Sequence, residues 1–493
     1  MSQAISINIT KLLFSRVTAQ VLMLITTPVV TRLFLPEHFG VMQIFESIIT
    51  PFCIIANLKY DQSIPLGKNQ QEASASLILS LFFAVNMTAC SFAGILIGKD
   101  YIARWFHAPD LARFLWLLPA FVFIVGLNNV LNSWASREGK FGIMALSGLG
   151  DTVGDKTLTI VWGYLLRAST TGLVLGRFVG VFTNAVALLW SLGKTLFTDV
   201  KNAHLTLATI RAIAVQHKKF PLFSTWIALI ASINIQLPSL ICGLYFSPAV
   251  VGYYSLANRV VSVSSIFLGT VIAQVFFPAA AKEYHQTGTF SPIVRTILRR
   301  LVQIGVFPMA VLVFFGPSLF IGIFGQQWSE AGIYAEIMAS WHFLIFLNLS
   351  LDIFALVNRQ DLDLMIVLTG LIVRTIVLFA SVTFGSPRIT LGLFVFFSVI
   401  FLIGQLFWKL RISHISSRWA STLFLKYSAL SCALLLPAKW FSWILNDVRV
   451  DFVAVLIATG GYVAVLLMFE PELQQFIVTV VRRLKGMASN KTL

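Results

Sequence analysis

The segment Leu33-Phe34-Leu35-Pro36-Glu37-His38-Phe39-Gly40 has a counterpart later in the chain, Leu244-Tyr245-Phe246-Ser247-Pro248-Ala249-Val250-Val251-Gly252, and this pair sets the architecture. Both contain Pro-x-x-x-Gly, and both sit between two apolar runs. The run after each copy ends near a further proline, Pro65 and Pro278, at the same offset to within one residue. Agreement in register at all these points marks an internal duplication.

The flanking runs are long enough to span a bilayer, which takes about 20 mostly apolar residues per helix. The first group lies near 12–32, 40–58, 73–97, 112–133, 143–166 and 172–193. The second lies near 221–245, 252–281, 301–324, 332–357, 364–384, 390–408, 427–445 and 452–469. The chain is therefore expected to be an all-α polytopic membrane protein with about 14 transmembrane helices. Six helices separate the two copies, so the halves share one orientation and are related by an axis along the membrane normal, as in parallel-repeat transporters.

This gives a first lobe at 1–193, a linker at 194–220, a second six-helix lobe at 221–410, a terminal pair at 411–470 and a tail at 471–493. The linker alternates Leu205, Leu207, Ile210, Ile213 and Val215 with Arg211, Lys218 and Lys219, the pattern of a surface-lying amphipathic helix.

Composition agrees, since hydrophobic residues make up 57% of 493 positions and charged residues 11%. Lipid must be the main solvent for such a chain. A net charge of +16 does not indicate nucleic acid, because the chain has no zinc-ligand spacing, no recognition-helix pattern and no basic stripe with interleaved aromatics. Cys53, Cys90, Cys242 and Cys432 lie in apolar runs without CxxC pairing, as packing residues do. There is no GxxxxGK[ST] loop and no HExxH, so the expectation is a transporter without metal or cofactor, not an enzyme. The apolar stretch after Lys11 lacks a small-residue cleavage site and reads as a retained first helix.

Basic residues orient the chain, because they are retained on the cytoplasmic side of short loops. With the N-terminus inside, the outer loops keep only Lys99, Arg104, Arg113, Arg167, Arg388 and Arg449. The inner segments collect Lys194, Lys201, Arg211, Lys218 and Lys219, then Lys282, Arg295, Arg299 and Arg300, and others toward the C-terminus. Both termini are expected in the cytoplasm.

Charges left inside the runs are the candidate site, since ionisable groups in hydrocarbon are costly and face a cavity or a partner. Arg374 is mid-run, where snorkelling does not easily rescue it; the competing reading is an ion pair, with Asp352 as partner. Arg259 and Arg177 lie further toward the ends of their runs, and Arg16 and Arg32 at the ends of theirs, where an interfacial anchor or a tie to Glu37 also accounts for them. Asp151 and Asp155, four residues apart on one face, sit with Lys156, and either acid could be neutralised by Lys156 or Arg177. Glu46 has no partner in its own run. Asp155, Asp151 and Glu46 are the carboxylates available to couple a proton or sodium ion. A cavity more basic than acidic suits an anion such as diphosphate, held by guanidinium forks. Pro28, Pro51, Pro119, Pro238 and Pro308 permit bends in membrane helices, useful for alternating access and also common packing geometry.

The run Thr31-Arg32-Leu33-Phe34-Leu35-Pro36-Glu37-His38-Phe39-Gly40 resembles the TR-x-L-x-P-x-x-(F/Y)-G signature of Wzx-type polysaccharide flippases. Lys59-Tyr60-Asp61-Gln62-Ser63-Ile64-Pro65 is similar to their (R/K)-Y-(D/E)-x-x-(I/L)-P element, and Gly252-Tyr253-Tyr254-Ser255-Leu256-Ala257-Asn258-Arg259 to their second-lobe G-x-(Y/F)-x-x-A-x-(R/K) element. The resemblance implies two six-helix lobes that move undecaprenyl-diphosphate-linked oligosaccharide across the bacterial inner membrane by alternating access, coupled to a cation gradient. By the same analogy Arg374, Arg259 and Arg177, with Arg32, Arg16 and Lys156, would hold the substrate while its lipid tail stays among membrane lipids. An O-antigen polymerase and a chain-length regulator are the partner proteins such a role implies. Two alternatives share the plan. A lipid II flippase differs only in sugar preference and in the first signature; a cation-coupled multidrug antiporter is expected to keep an acid-dominated pocket and about 12 helices.

Overall fold

The structure, a computed structural model, describes residues 2–263, 268–351, 353–357, 359–445 and 447–470. Asp352 and the tail from 471 lie outside the described residues, as does the side chain of Arg16.

Among the described residues there are helices and no strands. They are α1 (Ser2–Leu33), α2 (Pro36–Ile55), α3 (Gln70–Trp105), α4 (Leu111–Leu115), α5 (Leu118–Arg137), α6 (Phe141–Leu165), α7 (Thr170–Asn202), α8 (Leu207–Gln216) and α9 (Thr225–Tyr245). They continue as α10 (Pro248–Ser262), α11 (Leu268–Thr287), α12 (Ser291–Phe324), α13 (Ser329–Ser350), α14 (Ile353–Leu356), α15 (Gln360–Ser381), α16 (Pro387–Ile412), α17 (Ser417–Leu445) and α18 (Val448–Phe469).

Eleven helical segments of the described residues are long and apolar enough to cross a membrane. The other runs counted in the sequence are helical as well. They are α1, whose apolar part is Val17–Leu33, α6, and α10 with α11 on either side of 264–267. Helix α6 leaves the apolar set because Asp151, Asp155 and Lys156 sit in its middle. The helix set apart by its charge is the one that carries Asp151 and Asp155.

Packing divides the chain into two compact units, Met1–Ser255 and Leu256–Leu493. In the first, α6 lies along α7 and α1 along α6, while α3 packs on α5 and α2 on α9. The repeat assigns α9 to the second copy, but its contacts with α2 place it in the first packed unit. Helix α7 runs past the expected lobe end to Asn202, and α8 follows as a short helix with Ile213 buried and Leu207 exposed.

The two Pro-x-x-x-Gly copies meet inside this first unit. Pro36 and Pro248 each start a helix, a position where a missing N–H is harmless and φ is already helical. The helices then cross at Gly40 and Gly252 so closely that a Cβ on Gly40 would fall on the Pro248 carbonyl, and one on Gly252 on the Pro36 carbonyl. The same hypothetical atoms would lie 3.1 Å from the Gly252 nitrogen and 3.2 Å from the Gly40 nitrogen. The contact is reciprocal, each proline's turn resting on the other's glycine.

Polar pins hold the other end of α2. Asn57, 1% exposed, donates to the carbonyls of Ser80 and Gly126 at 3.2 Å each and accepts from Asn129 at 3.2 Å. Arg137 donates to the Gly67 and Asn69 carbonyls at 2.5 and 3.1 Å, clamping the loop before α3. In that loop Leu58 and Lys59 both take positive φ, a sharp turn that puts Asp61 under cover. Burial raises the Asp61 carboxyl above the usual range, with Lys59 pulling the other way. Between the ordinary and the raised value the folded chain binds more protons than the unfolded one, so stability falls as pH rises through that window. Asp61→Asn is expected to raise the unfolding midpoint at neutral pH and flatten this slope. Thermal unfolding in detergent checks it, and an unchanged neutral midpoint would count against the assignment.

The second unit is built on α12, which packs against α13, α17 and α18, with α13 also against α16. Its core includes Phe307, Phe315, Phe346, Leu410 and Tyr462, all buried. Gln303, with no exposed surface, donates to the Tyr427 hydroxyl at 2.7 Å, and its carbonyl accepts from the Tyr462 hydroxyl at 2.7 Å. Tyr427 donates on to Glu470 at 2.9 Å, and Arg300 reaches Gln303 at 3.1 Å. The terminal helix pair is thus fixed to α12 by hydrogen bonds as well as by apolar contact.

Candidate functional site

In the first unit the candidate side chains come together on α2, α6 and α7. Helix α7 presents Gly172, Gly176 and Gly180 one turn apart, which lets α6 approach backbone to backbone. A Cβ on Gly180 would lie 2.6 Å from Asp151 Oδ1, and one on Gly176 would lie 2.9 Å from the Asp155 carbonyl oxygen. The glycines therefore seat both acids against α7. Arg177, next to Gly176, donates through Nη1 to Asp151 Oδ1 at 2.7 Å, and its Nε lies 3.8 Å from Glu46 Oε1 on α2. Lys156 pairs with Asp155 at 2.8 Å, and the Thr159 hydroxyl donates to the other oxygen of Asp155 at 3.3 Å.

The cluster holds the acids Glu46, Asp151 and Asp155 against the bases Arg177 and Lys156, and carries one net negative formal charge. Its members are only partly buried; Arg177 is 36% exposed and Glu46 26%. At 3.8 Å the Glu46 contact is too long for a hydrogen bond. Among the described residues no side-chain hydrogen bond reaches the Glu46 carboxylate, although Gln236 of α9 donates to its backbone carbonyl at 3.4 Å. Glu46 is the loosely held acid of the group. Arg177 and Lys156, expected from sequence to grip substrate, have their charge engaged by these acids.

The second unit holds Arg374 and Arg259. Arg374 lies mid-helix on α15 and pairs with no acid among the described residues. Its side chain folds back along the helix: Nη2 lies 2.9 Å from where a Cβ on Gly370 would stand, and Phe401 of α16 is 3.5 Å from that point. Its Nε is buried without a hydrogen-bond partner. Arg259, near the end of α10, is half-buried and follows Asn258, whose side chain meets His342 Nε2 of α13 at 3.2 Å. Arg32 is exposed at the end of α1.

His342, 2% exposed, and Lys409, 4% exposed with Nζ donating to the Asn348 carbonyl at 2.7 Å, are interior polar groups that charge and hydropathy alone do not single out. Lys409 is visible in the sequence as a basic residue at the end of an apolar run, but there it is indistinguishable from a loop charge. Among the described residues no group of His, Cys, Asp or Glu is arranged to hold a metal ion.

The profile of a family described as "Polysaccharide biosynthesis protein" matches residues 29–332. The succinoglycan biosynthesis transport protein ExoT of Rhizobium meliloti (strain 1021) is 22% identical over 323 residues, 62% of this chain, and the match spans 60% of that relative's length. Among solved structures, lipid II flippase MurJ in an inward closed conformation matches with a TM-score of 0.70 at 11% identity, over 92% of this chain and 99% of that one. The inward-facing conformation of a multidrug resistance MATE family transporter of the MOP superfamily matches at 0.60 with 14% identity, over 82% and 95%. At these identities the structural likeness establishes the fold.

Proposed function

This chain belongs to the polysaccharide biosynthesis protein family, and on that basis we propose that it is a flippase for undecaprenyl-diphosphate-linked oligosaccharide. It would carry repeat units across the bacterial inner membrane by alternating access, both termini lying in the cytoplasm. The relative's role as a succinoglycan transport protein supports a glycan cargo.

The observation that carries this reading is Arg374, a cation in the middle of a membrane helix with no acid partner among the described residues and a buried, unpartnered Nε. Such a group requires an anion or water to offset its burial. A diphosphate supplies several acceptor oxygens in the geometry a guanidinium fork matches. Arg259 is the second basic group assigned to the head. The acid-rich cluster at Glu46 is assigned to coupling: its single net negative charge suits one proton or sodium ion, taken up at the acid that is held least tightly. An O-antigen polymerase and a chain-length regulator are the partners this role calls for.

Reconstituted vesicles containing a fluorescent polyprenyl-diphosphate glycan test the assignment. Charge-assisted hydrogen bonds contribute about 1.5–3 kcal/mol, so Arg374→Ala is expected to slow translocation roughly 10- to 100-fold. Arg374→Lys should restore the charge but not the fork, and recover only part of the rate. Full translocation by the alanine variant sinks the reading. Imposed proton or sodium gradients test coupling, and a rate indifferent to both removes the role given to Glu46. Lipid II, itself a diphosphate lipid, would satisfy the same arginine chemistry, and competition between the two glycans in this assay decides between them.

A further inference from the structure

Helix α8 lies in the segment that joins two membrane spans of the first unit, one ending at Asn202 and the next beginning at Phe220. Its 10 residues are too few to cross a bilayer, about 15 Å of helix against about 30 Å of hydrocarbon. Residues 203–206 separate it from α7, and residues 217–219 from the next span. Three residues reach at most about 11 Å, so α8 is held at the level of the lipid headgroups.

The two sides of α8 differ. Ile213 is buried against protein, and the neighbouring Ala214 carbonyl accepts from the Tyr60 hydroxyl at 3.2 Å. Tyr60 is itself stacked on Phe83 of α3 with ring centroids 5.4 Å apart, which fixes this side of the helix to the bundle. Arg211 stands about 200° round the helix from Ile213. With Leu207 and Val215, each four residues away, it forms one ridge, and all three are exposed, Leu207 at 86% and Val215 at 58%. Lys218 and Lys219 follow, exposed in the next turn, and Leu222 is exposed where the span begins.

The outer strip therefore interleaves apolar and basic side chains. No Asp or Glu occurs between Val200 and Lys219, and among the described residues no acid pairs with Arg211, Lys218 or Lys219. Water is a poor match for the apolar part of this strip and hydrocarbon for the basic part. The interface of a bilayer that contains anionic phospholipid suits both.

We infer that the exposed strip of α8 binds anionic phospholipid headgroups, Arg211, Lys218 and Lys219 meeting the phosphates while Leu207 and Val215 enter the acyl boundary. The level at which α8 is tethered favours lipid over a soluble acidic protein. The segment between the two copies of the repeat is then pinned to the membrane surface by charge, whatever cargo the protein carries.

The test uses the full chain in vesicles of equal phosphatidylcholine and phosphatidylglycerol, with a benzophenone amino acid in place of Leu207 and lipid adducts identified by mass after irradiation. A second probe in place of Leu456, an exposed apolar residue of α18, reports the bilayer's own lipid ratio. Each basic residue near an anionic surface favours it about fivefold, so phosphatidylglycerol is expected to be enriched about tenfold or more at Leu207 over Leu456. The combined variant Arg211→Gln, Lys218→Gln and Lys219→Gln should bring the two ratios together, whereas Arg211→Lys, Lys218→Arg and Lys219→Arg together should keep the enrichment. Salt at about 1 M, which shortens the screening length to about 3 Å, should lower it with no substitution at those three residues.

Equal ratios at the two probes, or an enrichment that survives both the glutamine variant and the salt, overturn the inference. So does a Leu207 probe that captures no lipid, which would make the strip a surface for a soluble partner.

Discussion

Valine at Gly40 will abolish glycan translocation, and valine at Gly252 will do the same, although neither residue offers a side chain to any substrate. The reason is the reciprocal crossing of α2 and α10, where a Cβ on either glycine would occupy the partner proline's carbonyl. Backbone cannot rotate out of the way as a side chain can, so the two helices must separate. Overpacking of this kind costs about 1–3 kcal/mol even for small additions. Alanine is the sharper measurement: Gly40→Ala and Gly252→Ala should each lower the unfolding midpoint in detergent and slow translocation. Their effects should not add, because one separation of the helices accommodates both methyl groups. Two alanine variants that unfold and transport like the unmodified protein would refute the crossing.

Arg177→Ala is expected to have the next largest effect, this time through charge. Removing one partner of a buried ion pair costs about 3–5 kcal/mol, because the remaining charge is left without compensation. Here Arg177 is 36% exposed and Asp151 21%, so solvent screens part of that loss, and about 1–3 kcal/mol is the appropriate scale. Asp151→Asn in the same chain should restore much of the stability, since it removes the charge that Arg177 answers. Lys156→Ala should behave similarly with Asp155→Asn. Thermal midpoints of the four chains form the test, and a double variant no more stable than Arg177→Ala would show that the pair is not what Arg177 contributes.

The helices are legible in the sequence because a hydrophobic run of spanning length rarely forms anything but a membrane helix, and the observed ends differ from the expected ones mainly by extension, as α3 and α7 show. The duplication is legible too, but not its consequence. Nothing in Pro36 or Gly40 says that the two copies touch one another, because a contact between residues so far apart is a property of packing and not of pattern. The candidate site divides along the same line. That Asp151 and Asp155 share a face follows from helical spacing, whereas the choice between Arg177 and Lys156 as their neutralising partner is open in the sequence and resolved by the geometry. The approach of Glu46 to Arg177 depends on where α2 packs, which no local feature fixes. His342 escapes a sequence-based search because a single imidazole leaves an otherwise apolar run of spanning length intact.

The hydrogen-bonded attachment of α17 and α18 to α12 also governs how the protein is made. Chains are synthesised and inserted from the N-terminal end, so α12 enters the bilayer while Tyr427 and Tyr462 are still to be translated. Until Tyr427 arrives, the Gln303 side-chain N–H lacks the hydroxyl it donates to in the finished protein, and a donor buried without a partner costs about 1–3 kcal/mol. A chain that ends before Tyr427 therefore carries a Gln303 whose side-chain oxygen is met by Arg300 while its N–H donor has lost the hydroxyl it would reach, so the last stretch of synthesis completes the hydrogen bonding of a helix inserted long before it.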